Sequence, residues 1–93
     1  MKNVRISTDC SCYGENIDAI KHIIRTQIKP LLRYHYKVLE ISTDGTFVWV
    51  DVDIATEANN NIDFCDICNY CVDLFQTILY SNTYDCIVAC YTV

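Results

Sequence analysis

The cysteines are the residues in this chain whose type could support chemistry. Cys10 and Cys12 follow Asp9 in a short polar stretch, residues 9–15, between a predicted strand and a predicted helix. A thiol near a helix N-terminus has a lowered pKa and can act as a nucleophile. The stretch lacks the arginine that closes a phosphatase-type cysteine loop, and no glycine-rich phosphate loop is present. We therefore assign no catalytic residue and expect no enzyme; an activity that needs Cys10 or Cys12 would indicate one.

Three further cysteines, Cys65, Cys68 and Cys71, are spaced three residues apart on a predicted helix. Each step of three turns the side chain by about 60° around the helix axis, so the three thiols cannot surround one tetrahedral metal ion. Cys68 and Cys71 lie in the apolar stripe of this helix, so we expect core packing here, and we assign no metal and no cofactor. Seven cysteines without a secretory signal indicate reduced thiols. A disulfide between Cys86 and either Cys10 or Cys12 is the alternative.

Residues 38–53 predict a β-hairpin around Asp44 and Gly45. Two β-branched runs flank this dipeptide, which suits a two-residue type I′ turn, and with that turn Leu39 faces Val50. Because side chains alternate across a sheet, one face belongs to the core. The core face consists of Leu39, Ile41, Val48, Val50 and Val52. The other face carries Glu40, Ser42, Phe47, Trp49, Asp51 and Asp53.

A strand and a helix precede the hairpin. Residues 3–8 alternate between apolar and polar side chains, as a strand with one buried face does. Apolar residues then recur at helical spacing over residues 17–31, behind Asn16 as a candidate N-cap. Pro30 lacks a backbone donor, which predicts an end or a kink of the regular helix near Ile28.

A second helix and a final strand follow the hairpin. Polar residues 57–61 lead into an apolar stripe over residues 64–78 at helical spacing, and residues 81–83 close this helix. Residues 84–93 form the last strand. The order βαββαβ predicts one α+β domain over residues 1–93, a ferredoxin-like fold with strand order 4-1-3-2 and two helices on one face of an antiparallel sheet.

The predicted topology leaves one face of the sheet without helices. This face carries Arg5, Ser7, Phe47 and Trp49, with either Ile87, Ala89 and Tyr91 or Cys86, Val88 and Cys90. Either set is largely apolar, and an exposed apolar patch usually marks an interface. We expect self-association or capture of a partner here, unless the C-terminus folds over the aromatic residues. The topology also places Cys10 or Cys12 near Cys86.

Charge is divided unevenly along the chain. The net charge is −5, and all seven Lys and Arg residues lie within residues 1–37. Residues 38–93 contain nine of the twelve acidic residues. An acidic surface repels nucleic acid and attracts a basic protein surface, including the nucleic-acid groove of another protein. The acidic residues assigned to such a contact are Asp51, Asp53, Glu57, Asp63 and Asp66.

Direct nucleic-acid binding is the weaker interpretation. Four basic residues step by four along the first helix, as a phosphate-contacting ridge would: Lys21, Arg25, Lys29 and Arg33. The net charge favours a solvated face instead. Phe47 and Trp49 lie on the third strand, which in part resembles the strand on which RNA-recognition motifs place stacking aromatic residues. That strand ends in Asp51 and Asp53, whose carboxylates disfavour RNA, and lacks the basic residue of that motif.

A small acidic βαββαβ chain without catalytic motifs resembles the inhibitors encoded by phages and mobile elements, including anti-CRISPR proteins. The resemblance implies a non-enzymatic protein in the host cytoplasm that blocks a nucleic-acid-binding defence complex, with Phe47 and Trp49 as hydrophobic anchors. No apolar run reaches the length of a membrane span, so we expect a soluble cytoplasmic protein without a membrane partner. The alternative is a structural or regulatory homodimer that associates through the open sheet face.

Overall fold

In a computed structural model, which describes residues 2–32, 36–54 and 64–93, the chain folds into a four-stranded antiparallel sheet with helices on one face. The strands are β1 (Lys2–Asp9), β2 (Lys37–Thr43), β3 (Phe47–Ile54) and β4 (Ile87–Thr92). Their order in the sheet is β2-β3-β1-β4, so β1 pairs with both β3 and β4. This is the predicted order, and the prediction of an α+β, ferredoxin-like fold is confirmed.

The first helical layer consists of consecutive segments. A 3₁₀ segment, Ser11–Asn16, leads into α1 (Ile17–Ile23), a π-helical segment (Ile24–Ile28) and α2 (Lys29–Leu32). The irregular turn lies where a kink was predicted, because Pro30 cannot donate the backbone hydrogen bond that a regular helix requires. Asn16 precedes α1, but its side chain makes no capping hydrogen bond.

The second helix, α3 (Phe64–Ser81), ends in a well-defined cap. Thr83 has a left-handed backbone (φ 72°), and its N–H donates to the carbonyl of Tyr80 at 2.9 Å. The N–H of Tyr84 donates to the carbonyl of Leu79, also at 2.9 Å. These two bonds form a Schellman motif, which satisfies carbonyls at the end of the helix. The polar entry predicted at residues 57–61 lies outside the described residues.

The register of the hairpin differs from the predicted one by two residues. Ile41 faces Val50, where a two-residue turn would have placed Val48. The turn is longer because the Asp44 carboxylate accepts hydrogen bonds from the N–H groups of Thr46 and Phe47, both at 2.8 Å. A shift by an even number of residues leaves the side chains of residues 40–43 and 47–53 on their predicted faces.

A β-bulge in β2 corrects the prediction for Leu39. Val38 faces Val52 and Glu40 faces Asp51, so Leu39 is left between two ladder positions. The Leu39 side chain is 46% exposed, and Val38 takes its place against the core. The core assignment of Leu39 was therefore wrong, because strict alternation along the sequence ignores the extra residue of a bulge.

The core lies between the sheet and the helices. One face of β1 and β3 and the inward faces of the helices form a single buried cluster, in which Phe75 is the largest side chain. Cys10, directly after β1, and Cys86, before β4, are both buried, and they lie close enough for each thiol to affect the pKa of the other. The expected approach of Cys10 to Cys86 is confirmed. None of the seven cysteines, all of which lie among the described residues, forms a disulfide.

Candidate binding surface on the open sheet face

Phe47 and Trp49 lie on the face of the sheet that is opposite to the helices. The residues between and after them in β3, Val48 and Val50, are buried under the helical layer, and alternation directs the two aromatic side chains to the other side. From β4 this face receives Ile87, Ala89 and Tyr91, while Cys86 and Val88 are buried in the core. We call this side of the sheet the open face.

The two aromatic rings are stacked on each other. Their centroids are 6.2 Å apart and their planes differ by 10°. Arg5, on the neighbouring strand β1, places its guanidinium carbon 5.6 Å from the centroid of the Trp49 ring. A cation at this distance is attracted by the negative face of the indole. Phe47, Trp49 and Arg5 therefore form an ordered row across two strands.

An ion pair fixes the end of this row. Arg5 and Asp51 face each other across β1 and β3, and the Arg5 Nε atom donates to Asp51 Oδ1 at 2.8 Å. The Nη2 atom donates to Oδ2 at 3.1 Å, which makes the pair bidentate. These bonds raise the pKa of the Arg5 guanidinium. Because Asp51 is engaged by Arg5, its role is to order the open face, and its charge is largely neutralised within the chain.

Two carboxylates that the sequence interpretation did not assign lie near the Phe47 end of the open face. Asp9 faces both Phe47 and Ile87, and the N–H of Ser11 donates to it at 2.9 Å, which lowers the pKa of Asp9. The backbone hydrogen bonds at the turn lower the pKa of Asp44 in the same way. An aspartate two residues before a hydrogen-bonding N–H is typical of an Asx turn, a signal that could have been read from the sequence.

Two of the other acidic residues assigned from the sequence, Asp53 and Asp66, do not lie around the aromatic pair. Asp53 lies on the open face opposite Asn3 and Lys37, and its Oδ1 atom is buried without a hydrogen-bond partner among the described residues. Asp66 is exposed in the first turn of α3, which packs on the opposite side of the sheet. Glu57 and Asp63 lie outside the described residues.

Comparison of the chain with protein-family models, with curated proteins and with solved structures finds no match. Among residues 2–32, 36–54 and 64–93, no helix is long and apolar enough to cross a membrane. Within the same residues no group of three or more His, Cys, Asp or Glu side chains is arranged to hold a metal ion.

The basic ridge predicted on the first helix is interrupted. Arg25 is exposed within the π-helical segment, while Lys21 and Lys29 on either side of it are half-buried. Arg33 lies outside the described residues. The irregular turn breaks the spacing of four that would align these cations along one face.

The thiols suggested as a place for chemistry differ in their surroundings. Burial raises the pKa of the Cys10 thiol to about 12, and it also raises the pKa of Cys86. A nucleophilic cysteine requires the opposite shift, because the thiolate is the reactive form. Cys12 is exposed. On the other side of the core, Cys90 of β4 contacts Cys68 of α3, and burial raises the pKa of Cys90. The three thiols at the core, Cys10, Cys86 and Cys90, behave as packing groups.

Proposed function

We propose that this chain is a non-enzymatic binding protein that captures a protein partner on its open face, with Trp49 at the centre of the contact. The observation that carries the proposal is the ordered row of Phe47, Trp49 and Arg5, which is held by Asp51 on a face opposite to the helices. Large aromatic side chains and arginine are the residue types that dominate binding energies at protein interfaces.

Preorganisation supports a binding role for this row. A flexible side chain loses rotamer freedom when a partner orders it, and that loss subtracts from the affinity. Here Trp49 is already held between Phe47 and Arg5, and Arg5 is held by two hydrogen bonds. The entropic cost of ordering the surface is thus largely met in the free protein.

Charge favours a partner with a basic surface. The net charge of the chain is −5, and Arg5 of the open face is engaged by Asp51. Asp9 and Asp44 remain ionised near Phe47 because backbone N–H groups stabilise their charged forms, and Glu40 is exposed on β2. An acidic rim around apolar anchors attracts a basic patch and orients it on approach.

The finer form of the proposal is an inhibitor, encoded by a phage or mobile element, that blocks a CRISPR-type defence complex in the host cytoplasm. Support comes from the small acidic chain, from its resemblance in size, charge and topology to such inhibitors, and from the aromatic surface with its acidic rim. The basic surface of the partner would then be a nucleic-acid groove, which an acidic protein can occupy in place of nucleic acid. Nucleic acid should compete with this chain for the captured complex.

The test is capture of a binding partner by the tagged chain, followed by measurement of the affinity. Trp49→Ala should weaken binding by about thirtyfold, as expected for a central anchor worth about 2 kcal/mol. Tyr80→Ala is the matched control, because Tyr80 is an aromatic residue of α3 that is 70% exposed on the other side of the sheet. Equal affinities of the two variants would contradict the proposed surface.

Two further measurements separate the parts of the proposal. Glu40→Lys should weaken binding to a basic partner, and added salt should weaken it further. If Trp49→Ala abolishes capture while added nucleic acid has no effect, the open face is the binding site but the partner is not held through a nucleic-acid groove. If the purified chain forms a dimer that Trp49→Ala dissociates, and no other partner is captured, the alternative of a homodimer through the open face is correct.

A further inference from the structure

The two edges of the sheet are built differently. The outer strand β2 carries the charged residues Lys37 and Glu40 and the bulge at Leu39, all of which discourage a further strand from pairing. The opposite outer strand β4 (IVACYT) has no charged residue and no proline, and its pairing with β1 is regular. An uncharged, regular edge strand is a template for another strand, and natural proteins rarely leave one unpaired.

Hydrogen bonds at the ends of β1 define which backbone groups of β4 point outward. The N–H of Val93 donates to the carbonyl of Asn3 in β1 at 3.0 Å. The N–H of Cys10, directly after β1, donates to the carbonyl of Thr46, next to β3, at 2.8 Å. Odd-numbered residues of β1 therefore bond towards β4 and even-numbered ones towards β3. With the observed register, the N–H and C=O groups of Val88 and Cys90 point away from β1, where no described strand lies.

From these observations we propose that β4 pairs with β4 of a second copy of this chain, antiparallel, around a two-fold axis at Ala89. In this register Val88 of one copy exchanges both backbone hydrogen bonds with Cys90 of the other. Ile87 lies opposite Tyr91 of the second copy on the open face. The two four-stranded sheets then form one continuous sheet, and the two open faces lie side by side.

The side chains of β4 fit a symmetric partner. Ile87 is 73% exposed and Tyr91 is 45% exposed, and a β-branched residue opposite an aromatic one is a favourable cross-strand pair. At the axis, Ala89 is exposed and small, so two copies of it fit side by side. Each pair in this register joins side chains on the same face of the sheet. Val88 and Cys90 both point towards the helices, and Ile87, Ala89 and Tyr91 all point towards the open face.

The uncharged strand β4 offers a basic partner no opposite charge to bind, whereas a second copy can pair with it through backbone hydrogen bonds. Two chains that each carry a charge of −5 repel each other, and the strand β4 itself adds no charged side chain to that repulsion. Added salt screens the repulsion, so the dimer should become tighter as the ionic strength rises. Capture of a basic partner on the open face has the opposite salt dependence, and the two proposals can fail independently.

Substitutions that place a charge at Ala89, on the two-fold axis, test the proposal. The measurement is the dimer dissociation constant, obtained by sedimentation of the purified chain under reducing conditions. Ala89→Asp and Ala89→Lys should each raise the dimer dissociation constant at least about tenfold, because each places two like charges opposite each other. An equimolar mixture of the two variants should restore a dimer, since only the mixed pair brings opposite charges together. Ser42→Asp, a new charge on the other edge strand, and Trp49→Ala should leave the dimer intact.

Three outcomes of this experiment would overturn the proposal. The first is a wild-type chain that remains monomeric up to about 1 mM, a concentration at which even weak self-association is visible. The second is a mixture of the Asp and Lys variants that remains monomeric although each variant retains the circular dichroism spectrum of the wild type. A dimer that Trp49→Ala dissociates would also reject the edge and indicate the open face instead.

Hydrogen exchange gives an independent readout of the same contact. The amides of Val88 and Cys90 should exchange as unpaired edge amides in dilute solution and become protected as the concentration rises. The amides of Ala89 and Tyr91, which bond to β1, should be protected at both concentrations. Unprotected amides at Val88 and Cys90 under conditions where sedimentation shows a dimer would overturn the proposal.

Discussion

Arg5 on β1 and Asp51 on β3 lie directly opposite each other and share two hydrogen bonds, of 2.8 and 3.1 Å. The Arg5 side chain is 33% exposed and that of Asp51 18%, so the pair is partly shielded from water. The guanidinium is at the same time 5.6 Å from the Trp49 ring. One carboxylate thus determines the position of a cation, and the cation covers part of the only tryptophan of the chain.

This arrangement predicts the effect of removing Arg5. In Arg5→Ala the Trp49 ring loses the guanidinium, so its fluorescence emission should shift to longer wavelength and become more sensitive to acrylamide. Arg25→Ala, which removes an exposed cation from the helical layer, is the matched control and should leave both properties unchanged. An unchanged Trp49 emission in Arg5→Ala would show that the indole is ordered without the cation.

A buried hydroxyl in the core gives a second prediction. Thr8 is fully buried between Val48 of β3 and Val88 of β4, and its Oγ1 atom has no hydrogen-bond partner among the described residues. A buried polar atom without a partner costs free energy, and valine has nearly the same shape. Thr8→Val should therefore raise the free energy of unfolding by about 1 kcal/mol, measured by urea denaturation.

The control for this substitution is Thr8→Ser. It retains the hydroxyl and removes the methyl group, so it should lower the stability by about 1 kcal/mol. If Thr8→Val lowers the stability as well, the hydroxyl has a partner that offsets its burial, and the interpretation of Thr8 is wrong.

The cap of α3 gives a third prediction. Thr83 has φ 72°, a left-handed conformation that β-branched residues adopt only at a cost, whereas glycine adopts it freely. Because Thr83 is exposed, Thr83→Gly should stabilise the protein by about 0.5–1 kcal/mol, or raise the unfolding temperature by a few degrees. Gln76→Gly, exposed within α3, should destabilise by about 0.5 kcal/mol instead. Equal signs for the two substitutions would contradict the role of the left-handed cap.

Several features of the fold follow from sequence patterns alone. Apolar alternation in β1 and β3 identifies the buried face because a strand has a period of two, which an even shift in register leaves unchanged. For the same reason the sequence correctly placed Phe47 and Trp49 opposite the helices. Pro30 marked the irregular turn of the first helix because a missing backbone donor has a local effect.

Other features depend on contacts that a sequence does not display. The Asp44 carboxylate determines the length of the turn through two hydrogen bonds. The preference of the Asp44-Gly45 dipeptide for a two-residue turn does not account for these bonds. The pairing of Arg5 with Asp51 requires the exact register between β1 and β3, which are separated by a helix and another strand. The acidic residues were therefore read as one surface, although Asp51 is engaged within the chain and Asp66 lies on the helical side.

The bulge in β2 gives a prediction that separates the observed register from simple alternation. Val38 is half-buried and faces Val52, whereas Leu39 is 46% exposed. Val38→Ala should lower the free energy of unfolding by about 1–2 kcal/mol, while Leu39→Ala should change it by no more than about 0.5 kcal/mol. If urea denaturation shows a larger loss of stability for Leu39→Ala than for Val38→Ala, Leu39 packs in the core and the bulge is wrong.

The cysteines predict how the chain reacts with alkylating reagents. Burial raises the pKa of Cys10 to about 12 and that of Cys71 to about 11, so both thiols are protonated near neutral pH and shielded from reagents. Cys12 and Cys65 are exposed. Brief treatment of the folded chain with iodoacetamide should label these two first, and Cys10 and Cys71 should react only when the chain unfolds. Mass spectrometry of the peptides checks the order.

The same pKa shifts predict loss of stability in alkaline solution. Above the ordinary thiol pKa of 9.0, unfolded chains lose the protons of Cys10 and Cys71 while folded chains retain them. Their contribution to stability is therefore complete below about pH 9 and is lost as the pH rises towards 11 for Cys71 and 12 for Cys10. The urea midpoint should fall over this range. The fall should be smaller in Cys71→Ala than in Cys65→Ala, and equal slopes in these two variants would show that the buried thiol does not govern the alkaline transition.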